Sequence, residues 1–364
     1  QVIGPAYSMS TRSKFAFINN ILKNEKKGNC ELSLIFNRFE AEKFHNKFTK
    51  EGGKDEDKSG VFARPLFVQF MEQVDDDSIQ LLKVRGAPPF SVNLVGEGAI
   101  DGGGPAREIF SSLIIEMMSE HIGMFTYNPN RRHKNKETNQ EDLIPNPSSN
   151  ETELRSEFSN DVERLLSKGL TFCGALIAAC IVSALPQPMK LASMVWEYLT
   201  SGYLSIESIY EIDSNFYHLI QDAESLEKVD LSNLTDEQFN REFNHVFEIH
   251  DSFGKTIELV PSGSKVPVTK ENLHDFIQLA KKWRLHEFDD ELKDIKEGFE
   301  KIMTYKNITS ILHPDELKLL VCGEPNCSIE HMKNLIDISV PYDDTLSEDD
   351  IKTMFWNVLE SFTP

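Results

Sequence analysis

Three groups of residues in this chain have types and spacings suited to chemistry: five cysteines, two glycine turns and scattered histidines. The cysteines, Cys30, Cys173, Cys180, Cys322 and Cys327, are odd in number and irregular in spacing. That pattern is not a disulfide framework. A nucleophilic thiol needs an accessible thiolate, yet Cys30 has no His, Lys or Arg beside it in sequence, and Cys173 and Cys180 lie seven apart in an apolar run, as core residues would. Cys322 and Cys327, with His313 and His331 nearby, match no common zinc spacing. The glycine turns invite a phosphate-cradle reading, because glycine-rich turns before helix N-termini bind anions. In the first, Gly96-x-Gly98, the place of a third glycine is held by Asp101, and Glu97 adds another negative charge. In the second, Gly254-Lys255-Thr256, the glycine that a P-loop needs five residues earlier is Ile249. Both readings fail, and the chain has neither a Gly-x-Ser-x-Gly elbow nor a His-Glu-x-x-His pair.

The elements around these residues follow from periodicity. Val92 and Leu94 alternate with polar neighbours as a half-buried strand does. Five glycines in the nine positions from Gly96 to Gly104 give a turn, and Pro105 suits the first position of a helix. Ile109, Leu113 and Met117, flanked by Phe110, Ile114 and Met118, carry that helix on. Further helices are expected over Thr11–Asn24, within Val61–Val74, and along the apolar run Leu170–Leu185, which is too short and too interrupted to cross a bilayer. A strand is expected near Leu32–Phe36, flexible chain at 50–60, and an exposed loop from Asn128 to Asp142 with a basic Arg131-Arg132-His133-Lys134 patch. Ser347 and Asp350 form a capping pattern before Ile351, Phe355, Val358, Leu359 and Phe362.

The net charge of −21 excludes a nucleic-acid backbone or an anionic membrane surface as partner and is suited to basic proteins. No signal peptide opens the chain, so a cytoplasmic setting, with the nucleus as an alternative, is expected.

The glycine unit resembles a segment of the HECT ubiquitin ligases, Glu-Gly-x-x-x-Asp-x-Gly-Gly-x-x-(Lys/Arg)-Glu-Phe-Phe, matched here from Glu97 to Phe110. Later blocks follow in the family's order: Ile122–Tyr127, Pro145–Ser149, Phe172–Ala184, Phe253-Gly254, Val266–Asn272, Gly298-Phe299, Leu320–Gly323 and Phe355–Thr363. The resemblance spans about residues 60–364. It implies a predominantly helical α+β fold, the N-terminal lobe of a bilobed HECT domain. Residues 1–202 and 286–364 would form its large subdomain, with 203–285 a small inserted one. It also implies a function: docking a ubiquitin-conjugating enzyme, with ubiquitin passing as a thioester to a cysteine and then to a substrate lysine.

That cysteine belongs, in the family, to a separate C-terminal lobe within a Thr-x-x-Cys-Phe-like motif, and none of the five here has that setting. The resemblance therefore implies a chain that binds and orients, inactive alone, without metal or cofactor, and with substrates selected elsewhere. A non-catalytic HECT-like interaction module is the alternative. Aligned to the family, Phe216, Ile220, Ala223, Leu226, Phe243, Phe276, Leu279 and Ala280 fall on partner-binding positions, and Trp283 lies one turn beyond Ala280. A groove and a small core draw equally on aromatic residues, so spacing alone leaves both readings open for each of them.

Overall fold

A computed structural model describes residues 9–23, 30–49, 64–120, 122–133, 140–147, 168–228, 231, 234–304, 309–324, 329–335 and 347–361. Short sheets punctuate a chain of helices. In order these are α1 (Thr11–Lys23), β1 (Ser33–Phe36), α2 (Arg38–Thr49), α3 (Leu66–Gln73), β2 (Ser91–Leu94), α4 (Gly104–Met117), β3 (Phe125–Tyr127), α5 (Pro129–Arg132), β4 (Leu143–Pro145), α6 (Gly169–Ser183) and α7 (Ser193–Ser201). There follow α8 (Ile206–Ile212), α9 (Ser214–Glu227), α10 (Asp236–Glu242), β5 (Glu248–His250), β6 (Thr256–Glu258), α11 (Leu273–Leu285), α12 (Asp289–Ile302), α13 (Pro314–Cys322), α14 (Ile329–Leu335) and α15 (Glu348–Ser361). The fold class is thus α+β and predominantly helical. The chain divides into two compact units, Gln1–Val321 and Cys322–Pro364.

In the first unit β1 and β2 pair in parallel, Leu34 opposite Val92 and Phe36 opposite Leu94. Side chains satisfy the outer edge of β1, as a sheet edge requires. Gln73 accepts from Ile35 N–H at 2.8 Å and donates to its carbonyl at 2.7 Å. Gln69, itself buried, does the same for Asn37. Phe36, Phe70, Phe90, Phe110 and Phe172 join in a chain of ring contacts 5.8–6.2 Å apart, knitting this sheet to α3, α4 and α6. His45 on α2 meets the buried Glu116 of α4 at 2.8 Å, and Glu116 also accepts the Phe67 N–H.

The apolar run expected at Leu170–Leu185 is α6, with all but two of its residues buried. Its tightest neighbour is α12. A Cβ on Gly174 would lie 1.8 Å from the Ile295 carbonyl oxygen, and one on Gly298 would lie 1.7 Å from that of Thr171. Only glycine lets two helix backbones approach this closely, and each helix supplies one. Cys173 and Cys180 are buried in α6, as expected. In α1, Thr11 and the buried Lys14 reach Glu316 of α13, at 2.6 and 2.7 Å.

The 128–142 region differs from the exposed loop expected of it. Asn128, Pro129 and Asn130 are buried. Asn128 caps the short α5 by accepting the Arg131 N–H, and Pro129 stands at its first position, a start signal that hydrophobic periodicity does not register. In the second unit Ser347 and Asp350 form the expected capping box, with Asp350 N–H to Ser347 Oγ at 3.2 Å and Ser347 N–H to Asp350 at 3.3 Å. The stretch at 50–60 lies outside the described residues.

Candidate docking site

At each glycine turn one of the chain's own carboxylates accepts two backbone N–H groups. Gly96, Gly98 and Gly103 adopt positive φ, and Asp101 folds back to accept the N–H groups of Val92 and Gly103, each at 2.8 Å. Asp251 does the same at the second turn, accepting from Phe253 and Lys255 at 2.8 Å. A bound phosphate would have to displace an anion already in place.

Two of the thiols are held above their ordinary range. Desolvation pushes the Cys30 thiol above its ordinary range, although the residue is exposed, and complete burial lifts that of Cys173 well above it. Cys327 lies outside the described residues.

Seven of the eight partner-binding candidates lie on two packed helices, and Phe243 lies at the end of a third. Asp213 caps α9 by accepting the Phe216 N–H at 3.1 Å, which starts the helix carrying Phe216, Ile220, Ala223 and Leu226. In α11, Leu273, Phe276, Ile277 and Ala280 form the buried stripe. The two helices pack together, and a Lys281–Glu224 bridge and a 2.6 Å His274–Glu227 contact tie them at the surface. A capping box between Thr235 and Gln238 starts α10, which ends at Phe243. The Phe276 ring then meets Phe243 and Phe247, each with centroids 5.7 Å apart.

Burial sorts the eight candidates. Phe216, Ile220, Ala223, Phe243, Phe276 and Ala280 are buried and form the interior of this region. Leu226 and Leu279, with Trp283, are half-buried and keep apolar surface toward solvent. Tyr203 and Tyr210 are exposed, and the Tyr210 ring lies 4.6 Å from that of Tyr217.

A second group was missed by sequence reasoning. Arg284 continues the apolar stripe of α11 and is wholly buried. Its guanidinium bonds Asp213 at 2.7 Å, Ser252 Oγ at 2.7 Å, and Glu287. Glu287 in turn accepts the Ser252 N–H at 2.7 Å. Burial lifts the Glu287 carboxyl above its ordinary value, against the pull of Arg284. From α5, Arg132 donates to the Ser252 carbonyl and stacks over Phe253 at 4.8 Å. Asn130 accepts from Ser214 N–H at 2.8 Å and donates to the Glu211 carbonyl at 2.9 Å. The sequence does carry one signal for this group: an arginine at the next helical position after Leu273, Phe276, Ile277 and Ala280.

Comparison with known proteins identifies the family. The model of the HECT domain, described as a ubiquitin-transferase, matches residues 111–364, and the chain belongs to that family. Similar curated proteins include the E3 ubiquitin-protein ligase HERC2 of Mus musculus, 25% identical over 277 residues, which are 75% of this chain and 5% of that protein. The probable E3 ubiquitin-protein ligase TOM1 of Eremothecium gossypii is 24% identical over 275 residues, 74% of this chain and 7% of that protein. The probable E3 ubiquitin-protein ligase HECTD2 of Mus musculus is 25% identical over 282 residues, 74% of this chain and 33% of that protein. The chain therefore spans between 5% and 33% of the length of these relatives.

Proposed function

We propose that this chain is the conjugating-enzyme-docking part of a HECT-type ubiquitin ligase. In that reading residues 203–285 form a small subdomain inserted in a larger one made of 1–202 and 286–364. A ubiquitin-conjugating enzyme docks over α9 and α11. Leu226, Leu279 and Trp283 offer it apolar surface, and Phe216, Ile220, Ala223, Phe243, Phe276 and Ala280 are the floor beneath. The chemistry takes place on a thiol outside this chain. That thiolate attacks the thioester carbonyl of the bound enzyme, whose own thiolate leaves, and the new thioester is then opened by a substrate lysine amine. The role of the docking part is proximity, which converts a bimolecular encounter into an intramolecular one. Neither metal nor cofactor enters either step.

The observation that carries this reading is the family match, which covers the whole of 203–285. The raised Cys30 and Cys173 thiols support it. The test is binding of the purified chain to a panel of ubiquitin-conjugating enzymes. Phe276→Ala is a poor probe, because truncating a fully buried phenylalanine destabilises a core by about 3–5 kcal/mol. Leu279→Glu alters half-exposed surface and leaves the buried rings in place. At least one enzyme is expected to bind, and Leu279→Glu to weaken it about tenfold, the scale of one interface anchor. A chain that binds no member of the panel would overturn the proposal.

A further inference from the structure

The Arg284 cluster is made of residues far apart in the chain that meet at one place. Asp213 precedes α9, Ser252 follows β5, and Arg284 and Glu287 end α11 and follow it. All three of these places border the candidate docking helices. The other side of the cluster, Asn130 and Arg132, comes from α5, which lies outside 203–285. Burying charge in this way is weak evidence for stability, since apolar replacements of a buried ion pair are often as stable. What directional charge-assisted bonds do supply is a fixed geometry. The Arg284 fork engages Asp213 with one nitrogen and Ser252 and Glu287 with the other, while its Nε has no partner among the described residues. Arg284 also stands 5.5 Å from the Phe216 ring, on the first turn of α9.

We propose that Arg284 is a positioning residue, which locks the helices α9 and α11 at a fixed angle to the body of the unit through Ser252 and the α5 residues Asn130 and Arg132. The proposal takes its functional meaning from the docking reading: a conjugating enzyme held on α9 and α11 is aimed by this lock. Without it the enzyme would still bind, but its thioester would point over a wider range of directions.

Spin-label distances on the full chain test this. Labels go on Glu237→Cys and Glu300→Cys, both exposed, with Cys30, Cys322 and Cys327 replaced by serine. Unmodified at the cluster, the chain should give one narrow distance. Arg132→Met combined with Asn130→Ala cuts the α5 side and leaves Arg284 with its carboxylates, and circular dichroism establishes that the variant is folded before its distances are read. Its distance distribution should roughly double in width, as the default mobility between loosely joined regions returns. Arg132→Lys with Asn130 intact should narrow it again. The set Arg284→Met, Asp213→Asn and Glu287→Gln, which leaves no buried charge unpaired, should broaden it likewise. Affinity for a conjugating enzyme should stay within about threefold throughout, a small change on the scale of binding energies. An unchanged distribution in the folded variants would overturn the positioning role. If no enzyme binds even the unmodified chain, the docking reading fails, and the distance widths still decide whether Arg284 acts as a lock.

Discussion

At the α6–α12 crossing, two helix backbones touch because Gly174 and Gly298 put nothing between them. Around Arg284, elements equally buried are held apart by side chains and joined through charge. The first contact depends on shape, and any added atom meets a carbonyl that cannot move. The second depends on complementary charge, and losing one member leaves its partners desolvated. A contact of the first kind suits a core that must stay closed. One of the second kind suits a joint whose angle matters, because hydrogen bonds specify direction where apolar packing does not.

Removing one charge at the joint is expected to have the largest effect. Arg284→Met leaves Asp213 and Glu287 buried without their cation and should destabilise the unit by about 3–5 kcal/mol. Adding Asp213→Asn and Glu287→Gln to that variant should recover most of the loss, as thermal unfolding would show. At the crossing no second change of polarity can compensate. Gly298→Ala forces α6 and α12 apart and should cost about 1–3 kcal/mol or more. Gly174→Ala in the same chain should fail to restore it. If a charge-neutral set at the joint is as damaging as the single substitution, the contrast between the two contacts breaks down.

A smaller effect sharpens the comparison with a third, partly exposed pair. The Glu116 carboxylate raises the pKa of His45 above its ordinary value, chiefly through their hydrogen bond. A group whose pKa is higher in the folded state adds stability at pH values below its ordinary pKa of about 6.5 and loses it as pH climbs through the raised value. The unit should therefore lose a little thermal stability between weakly acidic and weakly alkaline pH. In His45→Gln that part of the slope should vanish. Solvent screening keeps the effect well below that of Arg284→Met.

The sequence made some of this legible. The run Leu170–Leu185 predicts a buried helix without help from any partner, and Val92, Leu94 and Ile109 to Met117 predict the strand–turn–helix unit that the structure contains. Phe216, Ile220 and Ala223 recur at helical spacing on α9, but periodicity reports only that one face is apolar. Whether that face meets a neighbour of the same chain or a partner is a tertiary fact, and six of the eight candidates turn out to be buried within the chain. The Arg284 cluster was harder still. Asp213 is 71 residues away from its cation, and no local pattern pairs them. The burial at Asn128–Asn130 was hidden for a related reason, since Asn130 is buried by its bonds to Ser214 and Glu211, over 80 residues on.

Docking on α9 and α11 is tested by mapping the surface residue by residue. Amide signals of the isotope-labelled chain, followed while an unlabelled ubiquitin-conjugating enzyme is added, should move first and farthest on α9 and α11, around Leu226, Leu279 and Trp283. Signals at the α6–α12 crossing should stay in place. Shifts concentrated outside 203–285, with α9 and α11 silent at saturation, would contradict the account.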